Sequence, residues 1–303
     1  MSRHFDPVQL GSIELFCKAA DLGSFTAAAE ALGLTPAAVS RSVSRLETRL
    51  GSRLFVRTTR SLRLTQDGAL YRDQCRQALE QIAEAERAIS GRQQVPAGLL
   101  RLSVGTIYAQ HRLFPLLPEL SRQYPQLELE VHVCGQNIDF VEDGMDLAIR
   151  LGEPRDSRLI ARKLEEAALG LYAAPAYLAR RGRPRDLAAL GELDLIQFIR
   201  PSSGRPMPWL LRDAQGQERE FAFESRQRVH EDVMGCVHWA CAGGGVVQTY
   251  RFVADALVAA GQLEELLPAS AGATRPFYVL YPHNRHLSAR VRTVVDFLLK
   301  RMA

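Results

Sequence analysis

No apolar stretch in the chain reaches the roughly 18 residues that a membrane-spanning helix needs, so a membrane partner is not expected. The first residues, Met1-Ser2-Arg3-His4-Phe5-Asp6-Pro7, lack the charged-then-apolar run of a secretion signal, and a cytosolic location is the expectation. Cysteine is scarce and scattered: Cys17, Cys75, Cys134, Cys236 and Cys241 form no C-x-x-C pair and are odd in number. That excludes a disulfide framework or structural zinc and favours reduced, mostly buried thiols. Catalytic signatures are missing too. There is no G-x-S-x-G or Walker motif. Cys236 and His238 lack a third metal ligand or an orienting acid. Gly243-Gly244-Gly245 follows a helical pattern, where a phosphate loop would precede one. No catalysis, metal or cofactor is expected.

What is present is ordinary in bulk and uneven in placement. The chain has 303 residues, 47% apolar and 24% charged, enough for two or three globular domains. Its net charge of +4 is concentrated at one end. Nine Lys or Arg stand against five acids in residues 1–65, which therefore carry the whole excess. From Arg41 to Arg63 there are seven Arg against Glu47 alone. Such a block can bind a polyanion by releasing its counterions; a solvated basic face is the alternative.

The same segment carries helical spacing. Leu10, Ile13, Phe16, Cys17 and Ala20 predict an apolar stripe on a helix over Val8 to Ala20. Gly23 breaks it, and Ser24 can cap a short Ala-rich helix from Phe25 to Leu32, which Gly33 ends at positive φ. Thr35 caps a third helix with Pro36 in its first turn, where a missing N–H costs nothing. Val39, Val43, Leu46 and Leu50 form its predicted inward stripe. Two helices joined this tightly form a helix-turn-helix, whose second helix enters the major groove. Ala37, Ser40, Arg41 and Ser44 are placed to face the groove, Arg45 projects with them, and Pro36 can touch a thymine methyl. Arg53 to Arg57 and Ser61 to Leu64, joined at Thr58-Thr59-Arg60, predict a hairpin wing. Arg57 and Arg60 at its tip suit phosphate or the minor groove.

Gly23-Ser24-Phe25-Thr26-Ala27-Ala28-Ala29-Glu30-Ala31-Leu32, Ala38-Val39-Ser40-Arg41, Leu46-Glu47, Leu50-Gly51, Leu54-Phe55-Val56-Arg57-Thr58-Thr59-Arg60 and Leu64-Thr65-x-x-Gly68 stand in register across about fifty residues. This string resembles the signature of LysR-type transcriptional regulators, although that family often has Gln where Pro36 stands. The resemblance implies DNA contacts by Pro36, Ala37, Ser40 and Arg41 and by the wing arginines. Thr35, Pro36, Ala37, Ser40, Arg41, Ser44, Arg45, Arg57, Thr59 and Arg60 are the candidate DNA-binding residues.

Thr65 can cap a long helix over Asp67 to Ser90. There Tyr71, Cys75, Ala78, Ile82, Ala85 and Ile89 recur at steps of four and three, a seam for a partner helix or for its own domain. The family resemblance implies dimerisation through it, and assemblies that are usually tetramers. The reading assigns 1–65 to a winged helix-turn-helix, 66–91 to this linker, 92–98 (within Gly-Arg-Gln-Gln-Val-Pro-Ala-Gly) to a hinge, and 99–303 to a second domain.

Beyond the hinge, strands and helices alternate: Leu100 to Val104, His111 to Tyr124 as a helix, Leu127 to Val133, a short helix from Asp139, then Asp146 to Arg150 as a buried strand. A further set follows at Leu195 to Ile199, Val229 to Ala242, Gly245 to Gln248, Phe252 to Ala260, Phe277 to Tyr281 and Ala289 to Arg301. The pattern predicts a mostly parallel sheet in two α/β lobes, with a crossover near Gly170 to Ala174 and a return within Leu257 to Phe277. It resembles the periplasmic-binding-protein-like effector domain of the same family. Ligands of open α/β sheets sit beyond strand carboxyl ends, so Thr106, Gln136, Arg150, Ser202 and Gln248 are the candidate effector-binding residues.

The expected function is a sequence-specific DNA-binding transcriptional regulator controlled by a small-molecule effector. Its expected partners are double-stranded DNA with a partly palindromic promoter site, the effector, further copies of the chain as a dimer or tetramer, and RNA polymerase for an activator. The alternatives are a solute-binding protein with a basic leader and a metabolic enzyme without a DNA role.

Overall fold

The structure is a computed structural model that describes residues 7–57, 62–89, 96–136, 138–140, 143–154, 156–213, 215–283 and 287–302. It divides into two compact units, Met1–Gln94 and Val95–Ala303. No described helix is long and apolar enough to cross a membrane.

The first unit packs α1 (Pro7–Leu22), α2 (Phe25–Leu32) and α3 (Pro36–Leu50) against a small hairpin of β1 (Phe55–Arg57) and β2 (Leu62–Leu64), followed by α4 (Gln66–Ile89). The local signals act as the sequence predicts. Ser24 Oγ accepts from Ala27 N–H at 3.2 Å, and Thr35 Oγ1 accepts from Ala38 N–H at 3.3 Å. Gly33 ends α2 at φ +66° and closes the tight turn. Thr65 caps α4 through Gly68 N–H at 2.9 Å. Phe16, at the centre, lies 5.4 Å from the Phe55 ring and 5.6 Å from that of Tyr71. Arg76 of α4 meets Asp21 of α1 at 3.5 Å.

Three expectations change here. Leu10 and Leu50, read as inward, are 46% and 38% exposed. The inner face of α1 is Ser12, Phe16, Cys17 and Ala19, with the predicted Ile13 and Ala20 packed against it, and α3 buries Ser42 and Glu47 beside Val39, Val43 and Leu46. Ser42 Oγ donates to Ser12 Oγ at 2.9 Å, so two hydroxyls satisfy each other inside the core. The α4 seam is split: Cys75 is buried and Tyr71 packs against the core of this unit, whereas Ala78 and Ile82 are exposed. The side chains of Ala85 and Ile89 lie outside the described residues, as does most of the expected hinge. Gly98 belongs to the strand that follows.

That strand is β3 (Gly98–Val104), and it leads into α5 (Thr106–Tyr108), which continues as a π-turn (Ala109–Leu113), then α6 (Leu117–Gln123), β4 (Leu127–Val133), β5 (Leu147–Leu151) and the long β6 (Leu159–Ala173). After β6 come α7 (Pro175–Arg181), α8 (Leu187–Gly191), β7 (Ile196–Ile199), β8 (Trp209–Arg212), β9 (Glu218–Phe221), β10 (Gln227–His230) and α9 (Val233–Cys241). The chain closes with β11 (Val246–Tyr250), α10 (Arg251–Ala259), β12 (Glu264–Leu266), β13 (Thr274–Pro282) and α11 (Ala289–Met302).

The predicted strand at Leu127 to Val133 and the buried strand at Asp146 to Arg150 are present. The helix expected over His111 to Tyr124 starts earlier and is interrupted, because Pro115 and Pro118 interrupt its i to i−4 ladder. Asp139 and Phe140 are not helical; Asp143 N–H donates to Asp139 O in a turn. Val229 to Ala242 is a strand end followed by a helix that Asp232 caps through Met234 N–H at 3.0 Å.

The sheet is mixed, which corrects the mostly parallel expectation. Strand β3 pairs in parallel with β4 and β5. The other pairings in the sheet are antiparallel: β13 joins β5 to β6, and β6 pairs with β11 and β12. The second lobe adds the parallel pair β7 and β10 and the hairpin β8 and β9. The crossover expected near Gly170 to Ala174 is the final stretch of the long β6, and the return is β13, which begins only at the end of the expected range from Leu257 to Phe277. These two strands run through both lobes. Their register slips once, between Phe277 and Tyr278 opposite Glu165 and Lys163, leaving Leu164 as the extra residue of a bulge.

The thiols follow their burial. Desolvation pushes Cys17 and Cys236 up to about 12 and raises Cys75 and Cys241. A thiol held protonated at neutral pH is a poor nucleophile. Alkylation of the native protein with iodoacetamide at pH 8 is therefore expected to mark Cys134 first. Cys17, Cys75 and Cys236 should be modified only after denaturation. Peptide mass spectrometry checks this; rapid native labelling of Cys17 or Cys236 contradicts it.

Candidate nucleic-acid interface and ligand cleft

The amino-terminal turn of α3 is open to solvent. Thr35, Pro36, Ala37, Arg41 and Arg45 are exposed, and Ser40 and Ser44 are half-buried beside them. Val39, Ser42, Val43, Leu46 and Glu47 take the opposite face. The structure therefore brings together seven of the ten DNA-binding candidates on one face. Arg57 pairs through its backbone with Leu62, and Thr59 and Arg60 lie outside the described residues. Val56 and Arg63, paired across the hairpin, both turn to solvent.

Glu47 is the residue that sequence reasoning missed. Its carboxylate is 5% exposed. Oε1 accepts from Leu54 N–H at 2.8 Å and Phe55 N–H at 3.1 Å, while Oε2 lies 3.9 Å from Arg53 Nη1. The last turn of α3 thus holds the root of the wing by charge-assisted hydrogen bonds. Its place as the single acid within the arginine run was the available signal. Gly68 completes the joint: the space a Cβ would take lies 2.0 Å from the Leu54 carbonyl oxygen.

In the second unit the five effector candidates separate. Arg150 turns into the first lobe, where Nη2 donates to Ser103 Oγ at 2.6 Å and Gln136 O at 3.2 Å and lies 3.7 Å from Cys134 Sγ. Gln136 and Ser202 are exposed on loops that approach each other, since a Cβ on Gly135 would lie 3.4 Å from Pro201 Cγ. Thr106 is half-buried at the start of α5. Gln248 alone lines the cleft between the lobes, and its amide closes on Leu210, accepting N–H at 3.0 Å and donating to O at 2.7 Å.

That cleft is walled by Ile107 of the first lobe and by Ile196, Phe198, Met207, Trp209 and Val233 of the second. Thr249 and Arg275, not foreseen as ligand residues, also line it. Behind it, Glu165 Oε2 accepts from Arg112 Nη2 at 3.0 Å, and the Arg112 guanidinium lies 4.5 Å from the centre of the Phe252 ring. Tyr108 lies 4.3 Å from Phe277 in the same cluster, which links the π-turn to α10 and β6. Among the described residues no group of three or more His, Cys, Asp or Glu is placed to hold a metal ion.

A basic winged helix-turn-helix, carried on one chain with a two-lobed α/β ligand-binding domain, defines a transcriptional regulator that answers to a small molecule. The comparisons agree. Residues 10–69 match the model described as the bacterial regulatory helix-turn-helix protein, lysR family, and residues 93–303 match the LysR substrate binding domain. The chain belongs to the LysR family of transcriptional regulators. It is 39% identical, over 97% of its length and 92% of the relative's, to an HTH-type transcriptional repressor of Pseudomonas aeruginosa. It is 32% identical to the regulator CrgA of Neisseria meningitidis over 96% of both chains. The solved structure of CrgA superposes with a TM-score of 0.60 over 99% of this chain and all of that one. The full-length structure of AphB, a virulence activator of Vibrio cholerae, also gives 0.60, at 25% identity over 97% of this chain and 99% of that one.

Proposed function

We propose that the exposed turn of α3 reads the major groove of a partly palindromic promoter site through Pro36, Ala37, Ser40, Arg41 and Ser44. Thr35, Arg45 and the wing residues Arg57, Thr59 and Arg60 hold the phosphate backbone. Two copies pair through the exposed part of α4, where Ile82 lies bare, and pairs associate into the functional dimer or tetramer in the cytoplasm. A small molecule in the cleft closes the lobes and changes the spacing of the DNA-binding pairs, and with it the access of RNA polymerase. Residues 1–65, 66–91, 92–98 and 99–303 serve as reader, pairing helix, hinge and sensor, with no catalytic step.

The observation that carries the reading is the exposure of Ala37, Arg41 and Arg45 on one face, opposite a fully buried stripe. Gel-shift titration on the upstream intergenic DNA tests it. Arg41→Ala is expected to weaken binding by about 1–3 kcal/mol, roughly fivefold to 150-fold, the range for a lost base contact. Unchanged affinity together with an unchanged salt slope would refute the contact.

A further inference from the structure

Behind the cleft lies the largest group of unpaired buried polar atoms among the described residues. The π-turn Ala109–Leu113 carries His111 and Arg112 side by side, and turns of this kind often mark functional positions in helices. Both side chains meet Phe252 of α10. The His111 ring centre lies 6.1 Å from that of Phe252, and the Arg112 guanidinium lies 4.5 Å from it. Arg112 Nη2 donates to Glu165 Oε2 at 3.0 Å. His111 Nε2, Arg112 Nε and Glu165 Oε1 are buried and have no hydrogen-bond partner among the described residues. Glu165 stands opposite Phe277 at the register slip beside Leu164.

A neutral imidazole can rest with a bare nitrogen among apolar groups. An imidazolium cannot, since both of its N–H groups need acceptors and a buried charge without one is costly. Burial, and then the adjacent Arg112, hold the His111 ring below the ordinary histidine range. Arg112 is the charge that acts on this ring. On β6, Glu165 is bound to Arg112, and Lys163 pairs with Glu166 at 3.1 Å. On α10, Arg251 pairs with Glu265 at 2.8 Å, and Asp255 is exposed. On α6, Glu119 pairs with Arg301 of α11. Tyr108 of α5 keeps its proton, because burial and Glu165 both raise it. One carboxylate with a free oxygen therefore stands against two basic side chains on consecutive residues.

We propose that His111, Arg112 and Glu165 form an acid-sensitive latch on the joint between the lobes. With His111 neutral, Arg112 holds Glu165 and Phe252 together, and the latch is closed. A second ring proton turns His111 Nε2 into a donor, which reaches for Glu165 Oε1. Arg112 then shares its carboxylate with another cation, its hold on Phe252 slackens, and α10 parts from β6 near Leu164. The sign follows from burial, which favours the neutral ring in the folded chain. The stabilisation is complete above about pH 6.5 and is lost as the pH falls through that value. The latch acts whatever molecule the cleft takes, and it gives the sensor a response to acid that needs no ligand.

Hydrogen exchange of the full chain at about pH 8 and about pH 5.5, corrected for intrinsic rates, tests this. Protection of α10 and of residues 163–166 is expected to fall about fivefold or more at the lower pH, while that of β7 and β10 changes less than about twofold. His111→Gln, neutral at both values, is expected to remove the drop. Glu165→Gln opens the latch at any pH, so its α10 should show the low protection already at pH 8. Equal protection of α10 at both pH values in the unaltered chain overturns the latch. So does a drop that survives in His111→Gln, or one spread evenly over β7 and β10. Should His111→Gln fail to fold, Glu165→Gln decides: full protection of its α10 at pH 8 overturns the proposal.

Discussion

Gly68→Ala is expected to unfold the DNA-binding unit and abolish the gel shift. Two effects compete at this position. Ala is the better helix former by about 1 kcal/mol, and Gly68 sits in the first turn of α4. Against this, the new Cβ would fall 2.0 Å from the Leu54 carbonyl oxygen and 2.8 Å from its carbon. Backbone on both sides leaves no side chain to swing aside, and overpacking of this kind costs about 3 kcal/mol or more. The overlap wins. Gly33→Ala provides the contrast. It has φ +66° but nothing within 4 Å of its Cβ, so only the left-handed penalty of about 1–2 kcal/mol applies. Hydrogen exchange of α3 and the wing in the full chain checks both: collapse of protection in Gly68→Ala, a modest loss in Gly33→Ala. Native protection in Gly68→Ala would mean that the α4 and Leu54 backbones can separate cheaply.

Glu47→Ala carries the second large effect. It strips the Leu54 and Phe55 N–H groups of their acceptor inside the protein, at about 1–3 kcal/mol for each unsatisfied donor. The wing root should loosen while the α3 surface stays chemically unchanged. DNA affinity is expected to fall at least tenfold without any loss of a side chain from the DNA-facing surface. Glu47→Gln keeps an acceptor oxygen and loses only the charge assistance, so it should retain most of the stability. Denaturant unfolding followed by gel shift separates the two variants. Equal loss in both would show that the negative charge matters more than the acceptor.

The first unit was legible where its signals are local. Ser24, Gly33, Thr35 and Pro36 act within a turn of themselves, and each acts as read. What escaped depends on partners far along the chain. Ser12 and Ser42 are polar by composition and buried because they meet across 30 residues. Glu47 reads as a solvent-facing acid until its two backbone donors are in place. Leu10 and Leu50 fit the stripes by spacing, yet they lie at helix ends beyond the core. In the second unit, strands with parallel neighbours and apolar runs were visible. The long β6 was not, because Arg162, Lys163, Glu165 and Glu166 interrupt its hydrophobic pattern. Nor was the hairpin of β8 and β9, which completes the cleft around Trp209. The ligand candidates were placed at strand ends by rule. Arg275 and Thr249 lie within β13 and at the end of β11, where only the assembled lobes show which polar atoms go unpaired.

Two continuous strands, β6 and β13, tie the lobes together, with a single slipped register at Leu164. A ribbon of this kind flexes readily across its face and resists stretching along its length. A bulge bends the strand that carries it, so movement of one lobe against the other is expected to centre on Leu164. Glu165, next to that elbow and fastened to Arg112, sits where small changes in angle become changes in the width of the mouth. On the proposed reading of the cleft, the bend available at this two-strand connection is expected to limit how far a bound molecule turns one lobe against the other.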